Sequence, residues 1–156
     1  MSPVSSSVIK SFARHYQTGA VIPDAILEKL RRASNFNQGF ASTEYLAASL
    51  LDMRWHLLTD KDNVPDVDAF EKKVFSEIGL IGEIEPRYHT TYFAHIFDGG
   101  YAAGYYDYEW SEMLVCDAFA AFKESGDIFN RQLADKFRKF CLGEVGDGDL
   151  MSQYVL

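Results

Sequence analysis

The sequence predicts an all-α fold, a multi-helix bundle, on three observations. Apolar residues recur at helical spacing over most of the chain. No stretch of four or more residues alternates convincingly as a strand. Glycine, proline and aspartate fall where helix ends need them. With 156 residues, 47% of them hydrophobic, the chain is long enough to bury a core and is not a disordered segment. Residues 8–156 read as a single helical domain, and residues 1–7, "MSPVSSS", read as a tag remnant.

The elements follow in order. "VIKSFARHYQTG" is apolar at Val8, Ile9, Phe12 and Tyr16, with Gly19 as its stop. In "IPDAILEKLRRAS", Pro23 suits the first turn, Asp24 suits the positive end of the dipole, and Ile26, Leu27 and Leu30 form the buried stripe. "STEYLAASLLDMRWHLL" is a longer helix capped by Ser42 or Thr43, with Tyr45, Leu46, Ser49, Leu50, Met53 and Leu57 in period. "TDKDNVPD" is a polar connection, and Asp66 then caps "VDAFEKKVFSEIG", which stops at Gly79. "LIGEIEPR" is irregular, broken at Pro86. Tyr101 to Lys123 reads as one long helix closed by "SGD". "DIFNRQLADKFRKFCLG" takes Asp127 as cap and Gly143 as stop; "EVGDGD" is a turn, and a last helix opens at Asp149.

Composition narrows the partners. A net charge of −8 argues against nucleic acid. No apolar run approaches the ~18 residues of a membrane span, and no leader with an apolar core is visible. The expected compartment is the cytoplasm, with the periplasm left open for a longer parent. Cys116 and Cys141 form no Cys-x-x-Cys pair and are expected as buried free thiols. His15 and His56 sit in amphipathic helices and are expected in structural or surface roles. His89 and His95 are six apart, which is not the spacing of a helical zinc pair, and no His-Glu-x-x-His occurs. No metal site is expected in this chain. The serines lack a Gly-x-Ser-x-Gly elbow, and "DGGYAAG" does not follow a strand as a phosphate loop would.

The stretch "YFAHIFDGGYAAGYYDYEW", from Tyr92 to Trp110, is the exception to this plainness. Helical spacings of +4 and +7 place Tyr101, Tyr105 and Tyr108 on one face. Tyr106 falls with Ala102, Trp110 and Met113 and reads as core. Preorganised phenols can stabilise an oxyanion, and Gly99–Gly100 lets backbone approach a ligand. Aromatic packing with satisfied hydroxyls explains the same stripe, and the residues alone leave both readings open.

The segment "HIFDGGYAAGYYDYEW" resembles the zinc metallopeptidase family of thimet oligopeptidase, neurolysin, oligopeptidase A and peptidyl-dipeptidase. "FARHYQTG", "FNQGF", "EYLAASLLDMRWH", "PRYHTTYFAHIF" and "FRKFCLGEVG" resemble family segments in the same order, from about Val8 onward. The composite motif resembles the bacterial peptidyl-dipeptidase and oligopeptidase A branch, with the former favoured. The resemblance implies part of the helical lobe of a neurolysin-like enzyme, the C-terminal part of a larger catalytic domain. Zinc is then the parent's cofactor, its ligands upstream and absent from this chain. It further implies catalytic roles for Tyr108 as oxyanion donor and for His95 and Tyr101 on the substrate backbone. Gly99, Gly100 and Tyr105 become substrate-binding. Asp98 stands where the family has a small residue, which puts the polarity of that loop in question.

Two functions follow from these readings. One is a fragment of a metallopeptidase that hydrolyses short peptides, releasing C-terminal dipeptides or acting as an oligopeptidase. Its partners are peptide substrates and the remainder of the parent domain, and truncation-exposed surface favours self-association. The isolated chain is then expected to be inactive. The other is a non-catalytic helical interaction module, in which the tyrosine stripe serves packing or partner binding.

Overall fold

The computed structural model describes residues 5–59, 63 and 66–143. The turn expected from Glu144 and the helix expected from Asp149 lie outside them. The described residues are helical with no strand, an all-α arrangement. They divide into two compact units, one reaching Trp110 and the other starting at Ser111.

The first unit opens with α1, Ser6–Phe12. The expected helix through Gly19 stops at Phe12 because the chain turns back on itself. Arg14 and Val21 form an antiparallel bridge, and the His15 N–H donates to Ala20 O at 2.8 Å. Gly19, at φ +69°, serves that turn and not a helix end. Helix α2, Asp24–Ser34, begins after Pro23 as expected. Of its predicted stripe only Leu27 is buried; Ile26 and Leu30 are about half exposed.

Helix α3, Gln38–His56, starts earlier than Ser42 or Thr43 would place it. Asn37 enters it at φ +59°, and the Thr43 hydroxyl donates to Gly39 O within the helix. The face that faces inward is also different. Ala47, Ala48, Ser49, Leu51 and Asp52 are buried, whereas Leu46 and Leu50 are exposed. Apolar residues surround this helix on every side, so periodicity could not choose between its faces.

Helix α4, Val67–Glu77, matches its prediction. Asp66 Oδ1 accepts the Ala69 N–H at 2.8 Å, and Gly79 ends the helix at φ +72° while the Leu80 N–H donates to Phe75 O. It packs on α3, with Trp55 against Phe70 at 4.2 Å between ring centroids. Glu71 is buried. Its Oε2 accepts the Thr90 N–H at 2.8 Å and the Thr90 hydroxyl at 3.0 Å, and its Oε1 pairs with His89 Nδ1. Trp55 Nε1–H completes the network on Thr90 Oγ1 at 2.9 Å. A buried carboxylate is tolerated only when bonded this fully.

That network ties down the 3₁₀ turn Thr90–Tyr92 and the single-turn helix α5, Ala94–Phe97, which follows it. Phe93, Ile96, Ala48 and Tyr105 form the core, with Tyr45, Trp55 and Tyr88 packed against it.

The second unit holds most of α6, Asp107–Glu124, then α7, Arg131–Lys136, continued by a π-helical segment Phe137–Gly143. Gly126, at φ +77°, closes α6 as expected. The cap of α7 is Asn130 and not Asp127. Asn130 Oδ1 accepts from the Gln132 and Leu133 N–H groups, while Asp127 folds its carboxylate onto the Phe129 N–H in a turn of its own. Both cysteines are free, but Cys116 is exposed and Cys141 half-buried, so neither is the buried thiol expected. Trp110, Met113 and Tyr106 are each about half exposed, which corrects their assignment to the core.

Candidate active site

The segment from Tyr101 to Tyr106 is not helical; α6 begins only at Asp107. The reason lies in where its backbone donors go. The Ala103 N–H donates to Asp52 Oδ1 and the Tyr105 N–H to Asp52 Oδ2, both at 2.9 Å. Those donors therefore miss the carbonyls four residues back that a helix requires. Ala103 stands at φ +52°, a conformation that L residues seldom adopt.

The loop is nonetheless compact. Upstream, the Asp98 and Gly99 N–H groups both donate to Ala94 O, and the Tyr101 N–H donates to His95 O at 3.2 Å. Gly104 N–H then donates to Tyr101 O at 2.9 Å. Gly99 lies flat against α5: a Cβ there would meet His95 Cα at 2.8 Å and His95 O at 2.9 Å. Gly100 has open space but φ +79°. The two glycines are thus needed for different reasons, close approach at one and handedness at the other.

Gly99→Ala is therefore expected to destabilise the protein by about 1–3 kcal/mol, since backbone must move to admit the methyl. Gly104→Ala, whose Cβ would meet nothing closer than 3.5 Å, serves as the comparison and should cost much less. Chemical denaturation of the two variants reads the difference; equal midpoints would overturn the steric account.

The loop brings the predicted rings together, although by turns and not along one helix face. Tyr101 stacks on Tyr108, centroids 5.3 Å apart and planes 17° apart. Tyr105 meets Tyr108 at 5.4 Å. His95 lies 6.2 Å from Tyr101 and 5.9 Å from Tyr105. Tyr108 is exposed, Tyr101 and His95 are half-buried, and Tyr105 lies beneath them at 4% exposure. Asp98 is exposed at the entrance of the loop.

Two tyrosines that the sequence reading left out of the site belong to its foundation. The Tyr45 hydroxyl donates to Tyr105 O, and its ring stacks on Tyr105 at 5.3 Å. Tyr88 stacks on Phe93 at 4.6 Å and lies 5.4 Å from His95. Tyr45 comes from α3, far from the motif in sequence, whereas Tyr88 lies four residues ahead of it.

Three of the phenols titrate high. Burial pushes Tyr105 up to about 12. Tyr108 is raised as well, first by its hydrogen bond with Tyr101 and then by desolvation. Burial likewise raises Tyr45. Below about pH 10 all three therefore keep their protons and remain donors.

Arg87, the basic residue nearest this loop in sequence, pairs with Glu44 across 3.6 Å. Among the described residues, no three His, Cys, Asp or Glu side chains converge as metal ligands would, so these residues do not fit a zinc centre of their own. No helix among them is long and apolar enough to cross a membrane.

Comparison with known proteins bears on what such a cluster does. Residues 4–150 match the family model of peptidase family M3. Dipeptidyl carboxypeptidase of Escherichia coli (strain K12) is 45% identical over 148 residues, covering 94% of this chain and 22% of that protein. Oligopeptidase A of the same strain is 34% identical over 145 residues, 90% of this chain and 20% of that protein. Saccharolysin of Saccharomyces cerevisiae is 28% identical over 143 residues, again 90% and 20%. The chain spans about a fifth of the length of the curated relatives it matches.

Proposed function

Because the chain belongs to peptidase family M3, we propose that it is the substrate-facing part of a zinc metallopeptidase that hydrolyses short peptides, releasing C-terminal dipeptides. The observation that carries this reading is the gathering of His95, Tyr101 and Tyr108 around one hydrogen-bonded glycine loop. Higher identity to a dipeptidyl carboxypeptidase than to an oligopeptidase A supports the dipeptide-releasing activity over endopeptidase cleavage.

In this reading the zinc ligands belong to a segment outside this chain. Tyr108 donates its hydroxyl to the oxyanion that develops on the scissile carbonyl. Being exposed and still protonated at neutral pH, it can reach a substrate as a donor. Tyr101 and His95 hold the peptide backbone on either side of it. Gly99 and Gly100 let that backbone come close, and Tyr105 forms the floor on which Tyr108 rests.

The remainder of the catalytic domain is the proposed partner of the apolar side chains this chain leaves exposed. Phe36 is 82% exposed and Phe12 68%, apolar surface that the rest of the domain would cover. Isolated, such a chain tends to self-associate.

A direct comparison tests the proposal. The full-length parent is expected to bind zinc stoichiometrically and to release dipeptides from a peptide with a free C-terminus but not from its C-terminal amide. The purified 156-residue chain is expected to do neither. Equal cleavage of the amide would replace dipeptide release by endopeptidase action, and cleavage by the isolated chain would overturn the division of labour.

A further inference from the structure

Asp52 is 0% exposed, on α3, and the family motif lies about fifty residues away in sequence. Its carboxylate nevertheless receives two main-chain donors of the loop that carries the site. One oxygen takes the Ala103 N–H and the other the Tyr105 N–H, each at 2.9 Å. His56 Nδ1 lies 2.8 Å from Oδ1 and 2.9 Å from Asp52's own carbonyl oxygen, which locks the carboxylate rotamer from the helix side. We propose that Asp52 is a positioning residue for the peptidase reaction, holding the 101–106 loop so that Tyr108 and Tyr101 present their hydroxyls in one fixed arrangement. The inference rests on the function proposed above.

Three observations converge on this role. Two bonds from one planar group to alternate residues fix both the height and the rotation of the loop, which a single bond would not. Ala103 holds an unfavourable positive φ between those bonds, and such strain persists only where neighbours over-determine it. Finally, the held segment is short and central. Tyr101 precedes Ala103 by two residues, and Tyr108 follows Tyr105 by three, so a shift at the two donors carries directly to the stacked pair 5.3 Å apart. The bonds described for the Asp52 carboxylate go to loop main chain and to His56, and it acts through the loop backbone.

The test uses the full-length enzyme with Asp52→Asn, Tyr108→Phe and the double variant. Asparagine keeps one acceptor and turns an amide NH₂ toward the second N–H, so one bond is lost without changing side-chain size. Asp52→Asn is expected to lower kcat about 10–100-fold, the scale of a misplacement near 1 Å, with zinc content retained. In the Tyr108→Phe background the same change should cost less than about threefold, because the residue it positions is already disabled. Where Tyr108→Phe itself lowers kcat, the same factor in both backgrounds would overturn the inference, as would an unchanged kcat in Asp52→Asn.

Hydrogen exchange separates this outcome from failure of the functional reading. Amides 101–106 should exchange faster in Asp52→Asn while those of α4 keep their protection. If Tyr108→Phe keeps full kcat, the oxyanion role fails. Asp52 is then judged by exchange and by its own kcat, and loop-confined exchange with normal kcat would also reject it. If Asp52→Asn does not accumulate folded, His56→Gln leaves the carboxylate in place and should show a smaller effect confined to the same amides. Uniform loss of protection across the unit would mark both residues as merely structural.

Discussion

Tyr108→Phe in the full-length protein is expected to lower kcat by about 10²–10³-fold, with KM and zinc content little changed. The size is that of removing one preorganised donor from a developing oxyanion. The substitution deletes only a hydroxyl. The ring remains to stack on Tyr101 and to meet Tyr105, so folding stability should barely move. A donor used only in the transition state lowers kcat and kcat/KM together, whereas a residue that merely binds substrate raises KM. Steady-state kinetics on a dipeptide-releasing substrate make the distinction. An unchanged kcat with zinc in place would remove Tyr108 from the chemistry and return the stripe to aromatic packing, the other reading the sequence left open.

Phe93→Ala is expected to give the largest loss of stability, about 3–5 kcal/mol. The side chain is 0% exposed and stands at the centre of the first unit's core. It stacks on Tyr88 at 14° and meets Tyr105 edge-on at 4.9 Å. Removing it opens a cavity under Tyr105, the floor of the proposed site. Denaturant unfolding of the full-length protein measures the loss, and a change below about 1 kcal/mol would mean that the core can collapse around the gap. Phe93→Leu keeps most of the volume and should recover a large part of the stability.

The contrast between α4 and α3 shows what could be read in advance. In α4 every signal is local: Asp66 caps within three residues, and Gly79 ends the helix with its own φ. In α3 the apolar residues point all round, and the period that runs through Leu46 and Leu50 misses the face that Ala48, Leu51 and Asp52 bury. The tyrosines show a third case. The spacing that predicts their gathering is that of a helix, which the loop does not form. Three rings within eight residues were near enough for a compact turn to assemble them as well.

The sequence by itself determined the all-α class, the starts of α2 and α4, the family, and which motif holds the candidate site. These depend on neighbours within a few residues, or on side chains recognised as a string. The tertiary structure alone decided that Tyr101–Tyr106 is a loop, that Tyr105 is buried and Tyr106 exposed, and that Asp52 and Glu71 are interior carboxylates. The physical reason is common to all of these. The donors that satisfy Asp52 stand 51 and 53 residues away, and those on Glu71 stand 18 and 19 residues away. A carboxylate among surface-like neighbours becomes a core residue only when folding delivers main-chain N–H groups to it.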